Sequence, residues 1–177
     1  MDLISSLVAV CAVVVAVRQV RATDRTSKET IESQKEMTRL NLTMQLIDKY
    51  DSTPIRASRS ELARQIIQRR NAITKSDVGI YMSGVEHVMD ILETIGALHQ
   101  RGWLDNALVY NSFSDSAAHW WLALEDYITE HRKQTPEYYD KFQYLAGYFI
   151  RQENASGQLS NEVIQRELEA FLQSEVV

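Results

Sequence analysis

Two prolines, six glycines and one cysteine in 177 residues leave this chain short of everything that breaks a helix or ties a loop. The lone thiol, Cys11, has no second cysteine to pair with and no companion for a thiolate metal site, which suits a reducing compartment. No run of alternating apolar and polar residues marks a strand, and no internal repeat or low-complexity segment is present. Also missing are a glycine-rich phosphate loop, a Gly-x-Ser-x-Gly elbow and a Cys/His pair. Basic residues are outnumbered, 19 Lys and Arg against 24 Asp and Glu. A surface of that sign cannot neutralise a phosphate backbone, so nucleic acid is not an expected partner.

What is present is uneven. Residues 3–17 hold no charge, and only Ser5 and Ser6 are polar; Arg18, Arg21, Arg25 and Lys28 follow at once. At about 1.5 Å per helical residue, residues 1–20 reach roughly 30 Å, one hydrocarbon thickness, with Arg18 snorkelling to the interface. A cleaved signal peptide would carry its cations before the apolar run, whereas Asp2 stands there. The expectation is therefore an uncleaved transmembrane anchor. Its basic flank stays on the cytoplasmic side among anionic headgroups, with the amino terminus outside. Ser5, Ala9, Ala12 and Ala16 recur at spacings of four, three and four, a small-residue stripe on which anchors could pair into a homo-oligomer. Residues 1–28 carry a net +2 and the remainder −7.

Past the anchor, residues 21–36 are almost wholly polar and read as an exposed helical stalk. Met37, Leu40, Met44 and Ile47 then fall on a heptad seam, joined by Leu42 and Leu46 closer to Tyr50, predicting that residues 37–50 dock on a bundle. Thr53-Pro54 restarts a helix, with Ile55, Leu62, Ile66 and Ile67 facing the core and Arg56, Arg59, Arg64, Arg69 and Arg70 forming a solvated basic face. Asp77 is expected to cap a central helix reaching Arg101. Its wide apolar stripe holds Val78, Tyr81, Met82, Val85, Met89 and Leu92, with Gly96 permitting a close crossing and Glu86, Asp90 and Glu93 on the polar flank.

Gly102-Trp103-Leu104-Asp105 makes a corner. The next helix, to His131, carries Val109, Phe113, Ala117, Trp120, Trp121, Leu124 and Tyr127, the two tryptophans serving core rather than ligand. Thr135-Pro136-Glu137 is expected to open another helix. A turn over residues 154–158 and a cap at Ser160 lead to a last amphipathic helix whose Val163, Ile164, Leu168, Phe171 and Leu172 dock on the bundle, the alternative being a face offered to a partner. His131 reads as a structural histidine near a helix end.

Chemistry is sparse. Bundle di-metal sites need Glu-x-x-His, which is absent; a mixed site from Glu93, Asp115 and His119 is the most that can be assembled, and a solvated salt link is the simpler account of Asp115 and His119. No catalytic, cofactor or metal residue is assigned.

The central wording, Val85-Glu86-His87-Val88-Met89-Asp90-Ile91-Leu92-Glu93-Thr94-Ile95-Gly96-Ala97-Leu98, then Arg101-Gly102-Trp103-Leu104-Asp105, Phe113 and His119-Trp120-Trp121, resembles the bacterial family called domain of unknown function 4760. The resemblance runs roughly over residues 40–132. It implies an anchored helical architecture and no established activity, so no functional residue transfers with it.

The expectation is thus an all-α chain: a single amino-terminal transmembrane helix (1–20), a helical stalk (21–36) and an antiparallel bundle of about five helices (37–177). It would act as a membrane-anchored interaction module with a protein partner not yet identified. The alternatives from other classes are a small membrane effector in phage exclusion or a toxin-like role, and a metal-dependent enzyme using Glu93, Asp115 and His119.

Overall fold

A computed structural model of the chain describes residues 3–71, 82–154 and 161–176. Within its helices it leaves aside the side chains of residues 3–18, 20–24, 70–71, 153–154 and 161–163. With neither glycine nor proline to interrupt it, α1 (Leu3–Tyr50) runs for 48 residues. The others are α2 (Thr53–Asn71), α3 (Val85–Gln100), α4 (Asn106–Arg132), α5 (Asp140–Asn154) and α6 (Asn161–Glu175), with no strand among the described residues. The all-α class is as expected.

Two compact units make up the chain, Met1–Arg39 and Leu40–Val177. In the first, every residue from 25 to 39 is exposed, and Arg25–Glu29 and Lys35–Glu32 pair along the surface. That is a helix dressed for solvent. Among the described residues no helix is long and apolar enough to cross a membrane. The side chains of the apolar run at residues 3–17, on which the anchor expectation rests, lie outside them.

In the second unit α3 is the central helix. It packs against α5, α2 and α4, while α6 lies on α2 and α4. Buried Val85, Val88, Met89, Ile91, Leu92 and Ile95 supply its wide apolar face. The tryptophans diverge as neighbouring helical positions must: Trp120 meets Phe171 of α6 edge-on and Trp121 meets Phe142 of α5. Both are core residues.

Three boundaries or faces depart from the sequence reading. The end of α1 docks through Thr43, Leu46 and Tyr50, leaving Leu40 and Met44 exposed and Ile47 half-buried. The heptad seam loses because the adjacent stripe offers more: Tyr50 packs edge-on against Phe113 at 5.5 Å, and the Thr43 hydroxyl accepts the Asp105 N–H at 3.0 Å. Next, α3 begins at Val85. Residues 82–84 are a turn, and Gly84 takes φ +81° so close to α2 that a Cβ there would sit 2.7 Å from the Ser58 carbonyl oxygen. The expected start, with Asp77, Val78 and Tyr81, lies outside the described residues. Finally, Thr135-Pro136-Glu137 does not open α5; residues 136–139 turn, and the helix begins at Asp140, after Tyr139 adopts φ +54°. Residues 155–160, with Ser160, are outside the described residues, and α6 docks as expected through Leu168, Phe171 and Leu172.

Candidate functional site

Asp90, Glu93 and Gly96 stand three apart on one side of α3, and all three act on the segment that enters α5. Glu93 Oε1 accepts the Lys141 N–H at 3.2 Å and Oε2 the Phe142 N–H at 2.6 Å. Those amides open a helix and have no partner within it, so the carboxylate is a cap supplied by a different helix. Burial raises the Glu93 carboxyl above its ordinary range against the opposing pull of the two amides. The Tyr139 hydroxyl donates to Asp90 Oδ1 at 2.6 Å. At Gly96 a Cβ would stand 2.2 Å from the Lys141 carbonyl oxygen, so only glycine lets α3 and α5 approach this closely.

The same turn is clasped from α4. Arg132 Nε donates to the Tyr138 carbonyl at 2.9 Å, Nη2 to the Tyr139 carbonyl at 3.2 Å and Nη1 to Gln143 Oε1 at 2.7 Å. Its guanidinium also stands 5.6 Å over the Trp121 ring. These contacts hold Tyr139 in its left-handed conformation and delay the helix past Pro136.

The remaining residues of the shared wording are equally architectural. Gly102, at φ +68°, closes α3: its N–H donates to the His99 carbonyl and that of Trp103 to the Leu98 carbonyl, the paired bonds of a Schellman end. Leu104 is buried, and Asp105 caps α4 by accepting the Leu108 N–H at 2.8 Å. Every polar side chain of the phrase from Leu92 to Asp105 that builds this knot or corner is spent on the backbone of another element or of its own helix end.

A second polar cluster, under α6, is not accounted for that way. Arg59 keeps only 11% of its side chain exposed and Glu175 of α6 13%, with Nε and Oε2 3.0 Å apart. Asp51 Oδ1 lies 3.9 Å from Nη1, and the guanidinium sits 4.2 Å over the Tyr50 ring. Burial pushes the ionisation of the Tyr50 hydroxyl up, opposed by the Arg59 charge and by hydrogen bonding with Ser116. Burial likewise raises the Glu175 carboxyl, opposed by Arg59.

One turn along α4, His119 Nδ1 lies 3.0 Å from Asp115 Oδ1 and 2.9 Å from the Asp115 carbonyl, and its ring stacks on Phe171 at 4.9 Å. The bond to Asp115 raises the imidazole, and His119 in turn lowers the Asp115 carboxyl. Trp120 Nε1, beside the same Phe171, is buried with no partner. Chemically the cluster sets a guanidinium at one end of an apolar floor, with Glu175 and Asp51 as its carboxylates.

Of the residues singled out by sequence, Ser5, Ala9, Ala12, Ala16, Arg18 and Arg21 have side chains outside the described residues; Arg25 is engaged by Glu29 at 2.9 Å, and Lys28 is exposed. Glu93 is not brought into a set with Asp115 and His119: its oxygens hold α5, while His119 lies against α6, and among the described residues no group of three His, Cys, Asp or Glu is placed to hold a metal. His131 takes the structural role expected, its Nδ1 2.9 Å from the Tyr127 carbonyl. His119 is not on a solvated face, because Phe171 covers it. Arg59 is not on one either. Its signal is its register: Ile55, Arg59, Leu62 and Ile66 follow spacings of four, three and four, so the arginine occupies a core position in an apolar stripe.

A family model described as Domain of unknown function (DUF4760) matches residues 6–149. No curated protein and no solved structure matches the chain.

Proposed function

Since the chain belongs to the family defined by that domain of unknown function, whose match starts inside the apolar run and takes in α1 to most of α5, we propose that it is a membrane-anchored helical interaction module. The apolar run at residues 3–17, closed by Arg18, Arg21, Arg25 and Lys28, carries the reading. Residues 1–20 cross a bacterial inner membrane once with the amino terminus outside, and the cations rest on anionic headgroups. The bundle works in the cytoplasm. Self-association runs through Ser5, Ala9, Ala12 and Ala16 or through the stalk.

Two features of the bundle support contact with other proteins as its work. The polar residues of the shared phrase are occupied in building the fold, and Leu40, Met44 and Trp103 stay large, apolar and exposed. The test is fractionation of cells expressing a carboxy-terminally tagged chain, with protease added from the outer side. A membrane-bound, protected tag and a crosslinked species lost on Ala9→Leu with Ala12→Leu support the reading. A soluble or accessible tag overturns the anchor or its orientation.

A further inference from the structure

Resting on that interaction-module reading, we infer that the partner is a second copy of this chain, with α1 pairing on α1 in parallel and in register through the heptad seam that ends at Met37, Leu40, Met44 and Ile47. Of the five large apolar side chains left exposed among the described residues, three stand on that seam: Met37 at 56%, Leu40 at 37% and Met44 at 47%. The bundle does not claim them, because α1 docks through the neighbouring stripe of Thr43, Leu46 and Tyr50. Their spacing of three and four is that of two helices wound on each other.

The phase of the seam continues in the sequence towards the amino terminus. Ala16 and Met37 are 21 residues apart, three whole heptads, and the positions between them in that phase hold Gln19, Thr23, Thr26, Thr30 and Ser33. None of these is charged, although ten of the residues from 18 to 39 are. Thr30 shows how a hydroxyl suits such a place: its Oγ1 donates to the Thr26 carbonyl at 2.9 Å and needs nothing from a partner. A straight helix drifts by about 20° per heptad against a strict seven-residue repeat. Across the six heptads from Ser5 to Ile47, supercoiling on another long helix is what keeps one face in contact. A helix of that length and phase is α1 itself, 48 residues without a break.

Charge selects the occupant and its direction. Glu29 and Glu36 border the seam on one edge, and Ser27, Gln34 and Asn41 on the other. In a parallel pair each copy's first edge faces the other's second, so Glu29 meets Gln34 and Glu36 meets Asn41, a carboxylate opposite an amide both times. Antiparallel pairing would set the glutamate edges against each other. Glu29 is already paired with Arg25 of its own helix at 2.9 Å, so no cation is asked of a partner there, and an identical, uncharged face satisfies the seam.

The test uses the full chain in detergent micelles, with Cys11→Ser as background and one new cysteine at a time. Thr26→Cys and Met37→Cys, on the seam, are expected to give a disulfide-linked dimer at least about tenfold faster than Lys28→Cys and Lys35→Cys, off it, because only facing residues come within disulfide reach. Met37→Lys with Met44→Lys is expected to abolish the dimer in light scattering and leave the amide protection of α3 to α5 unchanged, both side chains being exposed in the single copy. Mixing that variant with one carrying Met37→Glu and Met44→Glu restores a mixed dimer. Four results overturn the proposal. Equal crosslinking on and off the seam means chance company in a micelle. Crosslinking at Thr26→Cys or Met37→Cys but not both means a staggered or antiparallel contact. A dimer that survives the lysines is held elsewhere, and a bundle unfolded by them makes Met37 and Met44 part of the fold. Membrane fractionation is separate: a chain that fails these tests and stays membrane-bound with a protected tag loses the pairing and keeps the anchor, and a soluble chain that passes them does the reverse.

Discussion

Glu93 of α3 caps α5 from outside that helix, its Oε2 2.6 Å from the Phe142 N–H and its Oε1 3.2 Å from the neighbouring amide of Lys141. Removing the carboxylate by Glu93→Ala strands two partly buried donors and should lower unfolding free energy by about 1–3 kcal/mol. Glu93→Gln keeps one acceptor and should cost less. Denaturant midpoints at equal slope measure both, and equal losses for the two variants would remove the capping account.

The two glycines of the shared wording should respond differently to alanine. At Gly96 the new methyl meets the Lys141 backbone carbonyl at 2.2 Å, and backbone cannot step aside as a side chain can. Gly96→Ala is expected to cost about 3 kcal/mol or more, the upper end of overpacking. At Gly102 nothing lies within 4 Å, so Gly102→Ala meets only the strain of φ +68°, about 1–2 kcal/mol. Thermal melts of the two variants should rank in that order.

Asp115 and His119 make stability depend on pH in a defined window. His119 is raised above its ordinary 6.5, so its contribution is complete below that value and is lost as pH rises through the higher folded one. Asp115 is depressed below its ordinary 3.8, so its contribution is present above that value and is lost as pH falls through the lower folded one. The pair therefore helps most between the two ordinary values. Asp115 is exposed, which keeps the effect below about 1 kcal/mol. Asp115→Asn should cost more near about pH 5.5 than near about pH 8.5; a gap independent of pH would refute the pairing.

The Arg59–Glu175 pair should show the asymmetry of buried charges. Arg59→Met alone abandons Glu175 in a half-closed apolar setting and should cost about 2–4 kcal/mol; Arg59→Met with Glu175→Leu should recover most of it. A double-mutant cycle in urea gives the coupling, and additive losses would mean that the two side chains act independently.

Much of the fold is legible in the residues because periodicity reports burial. The wide stripe of α3, the divergent roles of Trp120 and Trp121, the close crossing at Gly96 and the docking of α6 all follow from spacing and size. The departures share one cause, a distant partner overriding a local signal. Pro136 is a sound helix opener locally, yet Asp90 and Arg132 hold Tyr139 in a turn that postpones α5 to Asp140. Leu40 and Met44 make a fair seam, yet Phe113 and Asp105 select Tyr50 and Thr43 instead. Charge groups Arg59 with its exposed neighbours, whereas its register places it inside. A capping carboxylate reaching from α3 to α5 has no signature in either helix alone. Of the candidate site, only the apolar half, Leu168, Phe171 and Leu172, is visible in the sequence.

The corner at Trp103 gives the protein a natural optical division. Trp103 is 54% exposed, with Arg101 at 5.6 Å from its ring, whereas Trp120 and Trp121 are buried. A collisional quencher in water therefore reaches one indole and spares two, and the emission splits into a red, quenchable part from the corner and a blue, shielded part from the interior. Occupancy of the apolar surface around the corner moves the first, and loosening of α6 over Trp120 moves the second, so the two events can be followed independently in unlabelled protein.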